Sequence, residues 1–309
     1  MIFEHQCDLK FWLLKSANLC GFKQERNDHE HEYPCRNFAD VGVITQEEAD
    51  RLIDALGASG QGQSDPPADG KLEAPENWQE NGLCTETEEP CQNIRVEVDV
   101  GGLKLLPSWD GKLRSEVKMH SMGDRLTNYS YGVETRLGET YLYLKRKMFR
   151  PWGRNGGATL VVYVPSGMQR VNCKVTVGGC QVENITVEEL HIHTDTGGTR
   201  LTGVQTKKTK ITTSTGGIDY GRGNRAANQL ELKAEVGAVS AFLSLDRGFH
   251  LFYNTNVGKL IDKLPSHIRI MKTGGQNIVG DSGEILYGDG ACQINIESST
   301  GAIQLKEEK

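Results

Sequence analysis

The chain has 309 residues, a net charge of −6, 36 glycines, and 37% hydrophobic and 25% charged content. These proportions suit one large or two smaller globular domains, and the glycines follow no G-X-Y period, which excludes a collagen-like chain. No apolar run approaches the ~20 residues that cross a bilayer, so no transmembrane segment is expected. The run Phe11–Leu14 is also too short for a secretory leader and lacks a cleavage site, which makes the expectation a cytoplasmic protein, at most peripheral to a membrane.

Charge divides the chain. Residues 1–91 hold 19 acidic against 7 basic side chains (−12), and residues 92–309 hold 22 against 28 (+6). An acidic front and a basic back suggest separate units. A +6 excess over the back does not by itself make a nucleic-acid binder, and nucleic acid is not an expected partner.

Residues 8–20 carry Leu9, Trp12, Leu13 and Cys20 near helical spacing, with Gly21 as a C-cap. A second helix is predicted over "ITQEEADRLIDALG". Thr45 caps it, Glu48 completes a capping box, Ala49, Leu52, Ile53 and Leu56 form one apolar face, and Gly57 ends it. A face that small has to pack on the first helix or on another protomer, which gives a helical module over 1–57 and a route to a homo-oligomer. His5, Cys7, Cys20, His29, His31 and Cys35 make a loose Cys/His cluster. Zinc accepts such ligands, but the spacing C-x8-H-x-H-x3-C matches no common knuckle, and neither metal nor cofactor is expected.

Residues 58–93 are rich in Gly, Pro, Ser and acids and poor in apolar residues. Such a segment reads as an acidic disordered linker. From 94 to 309 the texture changes to short β runs such as "IRVEVDV", "TYLYLKRK" and "ATLVVYV".

A repeat organises this part. Glycines recur at 178, 197, 216, 237, 258, 280 and 301, at spacings of 19 to 22 residues. Residues seven, five, three and one before each glycine form period-2 columns, among them Val171/Cys173, Leu190/Ile192, Leu230/Leu232 and Ile294/Ile296. Period 2 places each set on one face of a strand. A unit of ~20 residues with a single apolar face buries it only by stacking on its neighbours. The predicted fold is mainly β: a single-stranded β-solenoid or β-prism of ~20-residue rungs, stacked in chain order. Gly-Gly at 197–198 and 216–217 become corners, and Thr194, Thr196, Thr213 and Thr215 become an inward ladder. The rung ending at Gly280 fits worst, since Gly275 and Asn277 stand where apolar residues belong; a bulge there, or a slip to Ile268/Ile270, is the expectation.

The eight cysteines include no C-x-x-C pair, so free thiols are expected, with Cys173 and Cys292 as small buried hydrophobes.

"GRGNRA" at 221–226 matches G-x-G-x-x-A, but a dinucleotide fingerprint needs a helix next. The following "NQLELKAEVG" alternates as a strand, so a rung-to-rung turn is predicted. The segment "YLKRKMFRPWGR" interleaves Lys145, Arg146, Lys147, Arg150 and Arg154 with Tyr143, Phe149 and Trp152. Bases among aromatics suit anionic lipid headgroups, polyanionic glycans or single-stranded nucleic acid, and a solvated hairpin that merely carries charge would look the same. Lys145, Arg146, Lys147, Arg150, Trp152 and Arg154 are therefore the candidate anion- or membrane-binding loop. Asp246, Asp262, Asp281, Glu284 and Asp289 fall near turns without a fixed pair for glycoside cleavage, and no catalytic residue is assigned.

Residues 158–221, with Val164-Pro165-Ser166-Gly167 as lead-in, and the closing "INIESSTGAIQL" resemble the bacterial putative-adhesin domain of unknown function. "GVITQEEADRLIDALG" is similar to the helical module that precedes this domain in bacterial envelope-stress proteins. The resemblance implies a β-solenoid without established catalysis. The expected function is non-enzymatic: an interaction platform, linked to envelope-stress sensing or adhesion, whose partner is a protein or an anionic envelope component. A β-helix polysaccharide-active enzyme is the alternative and requires an acidic groove. A self-assembling solenoid with an uncovered terminal rung is another.

Overall fold

The computed structural model describes residues 84–87, 92–120, 128–136, 138–147, 157–268, 270–272 and 279–308. The helices expected before residue 57 and the Cys/His cluster lie outside the described residues.

Every described element is a strand. In chain order they are β1 (Cys84–Thr87), β2 (Asn93–Val100), β3 (Gly102–Pro107), β4 (Leu113–Met119), β5 (Tyr129–Arg136), β6 (Glu139–Arg146) and β7 (Ala158–Val164). Next come β8 (Met168–Val177), β9 (Cys180–Glu183), β10 (Val187–Thr196), β11 (Thr199–Thr202), β12 (Gln205–Thr215), β13 (Ile218–Tyr220), β14 (Arg225–Val236) and β15 (Val239–Leu243). The last are β16 (Phe249–Val257), β17 (Leu260–Lys263), β18 (Ile270–Lys272), β19 (Asp281–Tyr287), β20 (Cys292–Thr300) and β21 (Ile303–Glu307). β1 falls inside the segment 58–93 that composition marks as linker, and pairs antiparallel with β4.

A rung is two strands joined by one glycine corner, such as β10–Gly197–β11. The first strand lies in an 11-stranded sheet and the second in a 10-stranded sheet. Rungs stack in parallel, and the ladder continues through the corner: Gly197 N–H donates to Thr215 O at 2.8 Å, and Thr199 N–H to Gly217 O at 3.0 Å. The corner demands glycine for two reasons. At Gly197 φ is +136°, and a Cβ there would fall on the carbonyl oxygen of Gly178 in the adjoining rung. Gly101, Gly178, Gly216, Gly237, Gly258 and Gly301 repeat this geometry, forming one column down the stack.

Three residues before the glycine, the side chain points into the core. Where it is Thr or Ser, a hydroxyl is buried and needs a partner. Thr213 donates to Gly197 O (3.4 Å), Ser298 to Gly237 O (3.0 Å) and Thr255 to Gly301 O (2.9 Å). Thr194 instead bonds Thr199 across its own corner, at 2.9 Å. So Thr194 and Thr213 are inward as expected, but Thr196 is exposed and Thr215 is not buried. Val177, Val236 and Val257, in the same position just before the glycine, are 46%, 44% and 48% exposed. The inward positions three before and two after the glycine are five apart. Period 2 must therefore break once, and it breaks before the corner rather than after it.

The stacking order differs from chain order at both ends. From one end it runs β6/β7, β2/β3, β8/β9, β10/β11, β12/β13, β14/β15, β20/β21, β16/β17. The first rung, β2/β3, lies between the second and third. The last, β20/β21, is inserted between β14/β15 and β16/β17, so Leu230 and Leu251 both pair with Ile294. Every rung carries the same inward pattern, so the repeat does not encode which one is its neighbour. Gly280 is not a corner. It precedes β19, which runs antiparallel to β16 and carries the antiparallel β18; Gly275 and Asn277 lie outside the described residues. At the other end, β5 lies antiparallel on β6, and β4 on β7.

The inward columns of both sheets make one core, from Ile94, Val96 and Leu142 to Ile303 and Leu305. Cys173, Cys180 and Cys292 are free and buried in it. Burial pushes the Cys180 thiol up to about 12, so these cysteines pack as hydrophobes.

The corner can be tested by one contrast. Gly197→Ala should cost at least ~3 kcal/mol, because it adds backbone strain to a steric overlap. Gly138→Ala, at φ +79° with open space around its Cβ, should cost only about 1–2 kcal/mol. Urea unfolding of both variants gives the comparison.

Candidate functional site

The basic, aromatic segment begins on β6, where strand alternation sorts its residues. Leu142 and Leu144 are fully buried, while Tyr141, Tyr143 and Lys145 face outward. The Lys145 ammonium sits 5.4 Å from the Tyr143 ring centroid and 6.0 Å from that of Tyr141. The two rings are 5.5 Å apart. Arg146 is in the opposite phase, its guanidinium 5.8 Å from the Tyr129 ring on β5. Lys147 is exposed. Arg150, Trp152 and Arg154 lie outside the described residues. β6 lies in the 11-stranded sheet and β7 in the 10-stranded one, so the two do not pair as a hairpin. The structure thus joins Lys145 to the tyrosine pair and separates it from Arg146.

Tyr141 is fixed further. Its hydroxyl donates to Glu97 at 2.6 Å, and Glu97 also accepts from Arg95. Burial and the Glu97 bond push the phenol up to about 12.

The other end of the same sheet carries an apolar group that the rung repeat does not announce. Phe252 on β16, Met271 on β18 and Leu286 on β19 point outward, 43%, 44% and 55% exposed. Glu284 is the in-register partner of both Phe252 and Met271, and Leu286 is opposite His250. The His250 and Phe252 rings are 4.2 Å apart, and His250 approaches Glu284 at 3.3 Å. Three large apolar side chains thus flank one carboxylate on this face. The available signal is in "FHLFYNTNV" and "DSGEILY", where apolar residues occupy both phases of a strand.

"GRGNRA" is the turn from β13 to β14, as expected. Asn224 is buried and satisfied: its side-chain oxygen accepts from Val204 N–H at 2.8 Å, and its amide donates to Leu201 O and Gly221 O. The turn does hold an anion, supplied by the chain itself. Glu308 accepts from Gly223 N–H at 2.7 Å and from the Arg225 guanidinium. The carboxylates near turns are also engaged: Asp246 with Ser244, Asp262 with Leu264 N–H, Asp281 with Leu260 N–H and Asp289 with Ala291 N–H.

Residues 165–309, from the Pro165 lead-in to the last rung, match the Toastrack DUF4097 family. That segment is a Toastrack domain. It begins with the turn into β8 and includes six of the seven glycine corners; the rungs β2/β3 and β6/β7 precede it in the chain and extend the same stack. Among solved structures, a putative cell adhesion protein from Clostridium sporogenes is 13% identical with a TM-score of 0.44, covering 73% of this chain and 99% of that one. A putative adhesin from Bacteroides fragilis is 12% identical with a TM-score of 0.39, covering 72% and 96%. One from Parabacteroides distasonis is 13% identical with a TM-score of 0.29, covering 72% and 98%. No curated protein matches.

Two expectations concern these contacts. A raised phenol pKa means that Tyr141 stabilises the fold fully below about pH 10, its unfolded value, and that this contribution disappears as pH climbs towards 12. Glu97→Gln should bring the Tyr141 titration down towards 10, read by absorbance at 295 nm with Tyr141→Phe to identify the signal. Separately, Glu308→Ala removes charge-assisted bonds that tie the Toastrack domain's last strand to the "GRGNRA" turn. A loss of about 1–3 kcal/mol is expected from chemical unfolding.

Proposed function

We propose that the chain is a non-enzymatic interaction protein that receives a protein partner of the cell envelope on the outer face of its 11-stranded sheet. The supporting observation is the patch of Phe252, Met271 and Leu286. Contiguous apolar side chains left on a polar surface mark an interaction site more often than singly scattered ones do. Three features suit binding. The side chains stand on paired strands, so little conformational freedom is lost on docking. Phe252 packs against His250, which holds an aromatic anchor in place, and anchors of that kind dominate interface energies. Glu284, among the apolar groups, offers a partner cation a defined position and so sets orientation.

The engaged lysine and tyrosines at the β6 end are ordered polar surface on this reading, and the apolar end supplies the affinity. The measurement is saturable binding of the labelled chain to immobilised bacterial envelope proteins. Phe252→Ser with Leu286→Ser, checked for folding by circular dichroism, should weaken binding about tenfold or more, since 1.4 kcal/mol is a factor of ten. Equal binding by the variant, or none by the parent, rejects the proposal.

A further inference from the structure

A second, chemically different site lies along the edge where successive rungs begin. The turns leading into β8, β10, β12, β14 and β16 line an open groove of about 350 Å³. Its functional groups are Thr186, Glu188, Gln205, Lys207, Arg225 and Arg247. Adjacent rung starts lie about 4.8 Å apart, so the groups at the starts of β8, β10, β12 and β14 form a row along the stacking axis, and Arg247 stands beyond it, before β16, because β20 lies between β14 and β16.

Their charges do not balance evenly. Glu188 and Lys207 pair with each other. Arg225 is held by Glu308 and lies 3.6 Å from Asp246. Arg247 is exposed and has no ion pair among the described residues. One end of the groove therefore carries a single uncompensated guanidinium. Elsewhere the wall offers neutral hydrogen-bonding groups: the Thr186 hydroxyl, and Gln205, whose amide N–H₂ donates to Gly223 O at 2.9 Å and leaves its oxygen as an acceptor. Gly167, Thr206 and Ala227 complete the wall with small side chains.

The geometry points to a sugar chain bearing one carboxylate, bound with its acidic unit at Arg247 and neutral units along the rung starts. Each part of the groove matches a part of that ligand. A guanidinium receives a carboxylate through parallel N–H···O bonds, and the neighbouring Arg225 already donates to the Glu308 carboxylate. The Thr and Gln groups match sugar hydroxyls, and the small side chains leave room for pyranose rings. Among the described lining residues, the one guanidinium without an ion pair matches a monoanion better than a phosphate of higher charge. This site is independent of the Phe252 patch.

Calorimetry with cellobiouronic acid against cellobiose tests it, because the two differ only by carboxylate in place of hydroxymethyl. The full chain should bind the acid at least tenfold more tightly, and Arg247→Ala should abolish the difference. Phe252→Ser with Leu286→Ser should leave it unchanged, which separates this site from the protein-binding one. Equal affinities, no binding of either sugar, a preference that survives Arg247→Ala, or full competition by equimolar inorganic phosphate would each overturn the assignment.

Discussion

The glycine column is the constraint on which the remaining structure rests. At each corner the chain leaves one sheet for the other while still donating to the next rung, as Gly216 does to Val236 O and Gly237 to Thr300 O. Any side chain at this point would displace the rung beside it. Because the corners superpose, the strands on both sides stay in register, and their inward residues stack into columns that share one core. At the corners the core also takes in polar residues: the hydroxyls of Thr213, Ser298 and Thr255 each find a glycine carbonyl. The corner thus fixes the backbone and also determines which residues can stand three positions before it.

Much of this could be read from spacing. Glycines about 20 residues apart with period-2 columns specify rungs, and a glycine with φ near +140° explains why the punctuation is so regular. Three things could not be read. Stacking order was invisible because the rungs are interchangeable in pattern: Ile294 and Ile296 fit between Leu230/Leu232 and Leu251/Tyr253 as well as they would fit at an end. The Gly101 corner was missed because β4 to β7 separate it in the chain from the rung it adjoins, so its spacing to Gly178 falls outside the period. The outward position before each glycine was misassigned because period 2 counts along a straight strand, and the strand has already begun to bend there. The candidate sites were less legible still. Lys145 and Arg146 read as one basic cluster, yet neighbours on a strand face opposite ways. The apolar patch is assembled from three strands that are distant in sequence.

Inserting the first and last rungs into the stack has a mechanical consequence. A solenoid stacked in chain order ends in rungs that can fray one at a time. Here each rung nearest a described end of the chain has a neighbour on both sides, while the outermost rungs are interior in sequence and are held by connections at both termini. Antiparallel strands finish both ends of the 11-stranded sheet, β5 on β6 and β19 with β18 on β16, and one end of the other, β4 with β1 on β7, whereas β17, parallel to β21, forms the remaining edge. Such a body can carry a binding surface on its outer columns, because those side chains contribute little to the stack. Phe252 and Leu286 can be apolar there without altering Leu251 or Ile285, which face inward from the adjacent positions.

The "GRGNRA" turn shows how local chemistry and global placement combine. Glycines beside an arginine favour an anion wherever they occur, since a free backbone N–H and a guanidinium converge on it. In a nucleotide-binding unit a helix would follow and a phosphate would arrive from outside. In this chain a strand follows, Asn224 holds the turn closed from within, and the anion is Glu308 at the end of the last rung. The same stacking that inserts β20/β21 beside β14/β15 brings that carboxylate to the turn. Because Glu308 neutralises Arg225 and Glu188 pairs with Lys207, Arg247 is left as the groove's cation without an ion pair among the described residues, so the charge of this edge depends on the order in which the rungs are stacked.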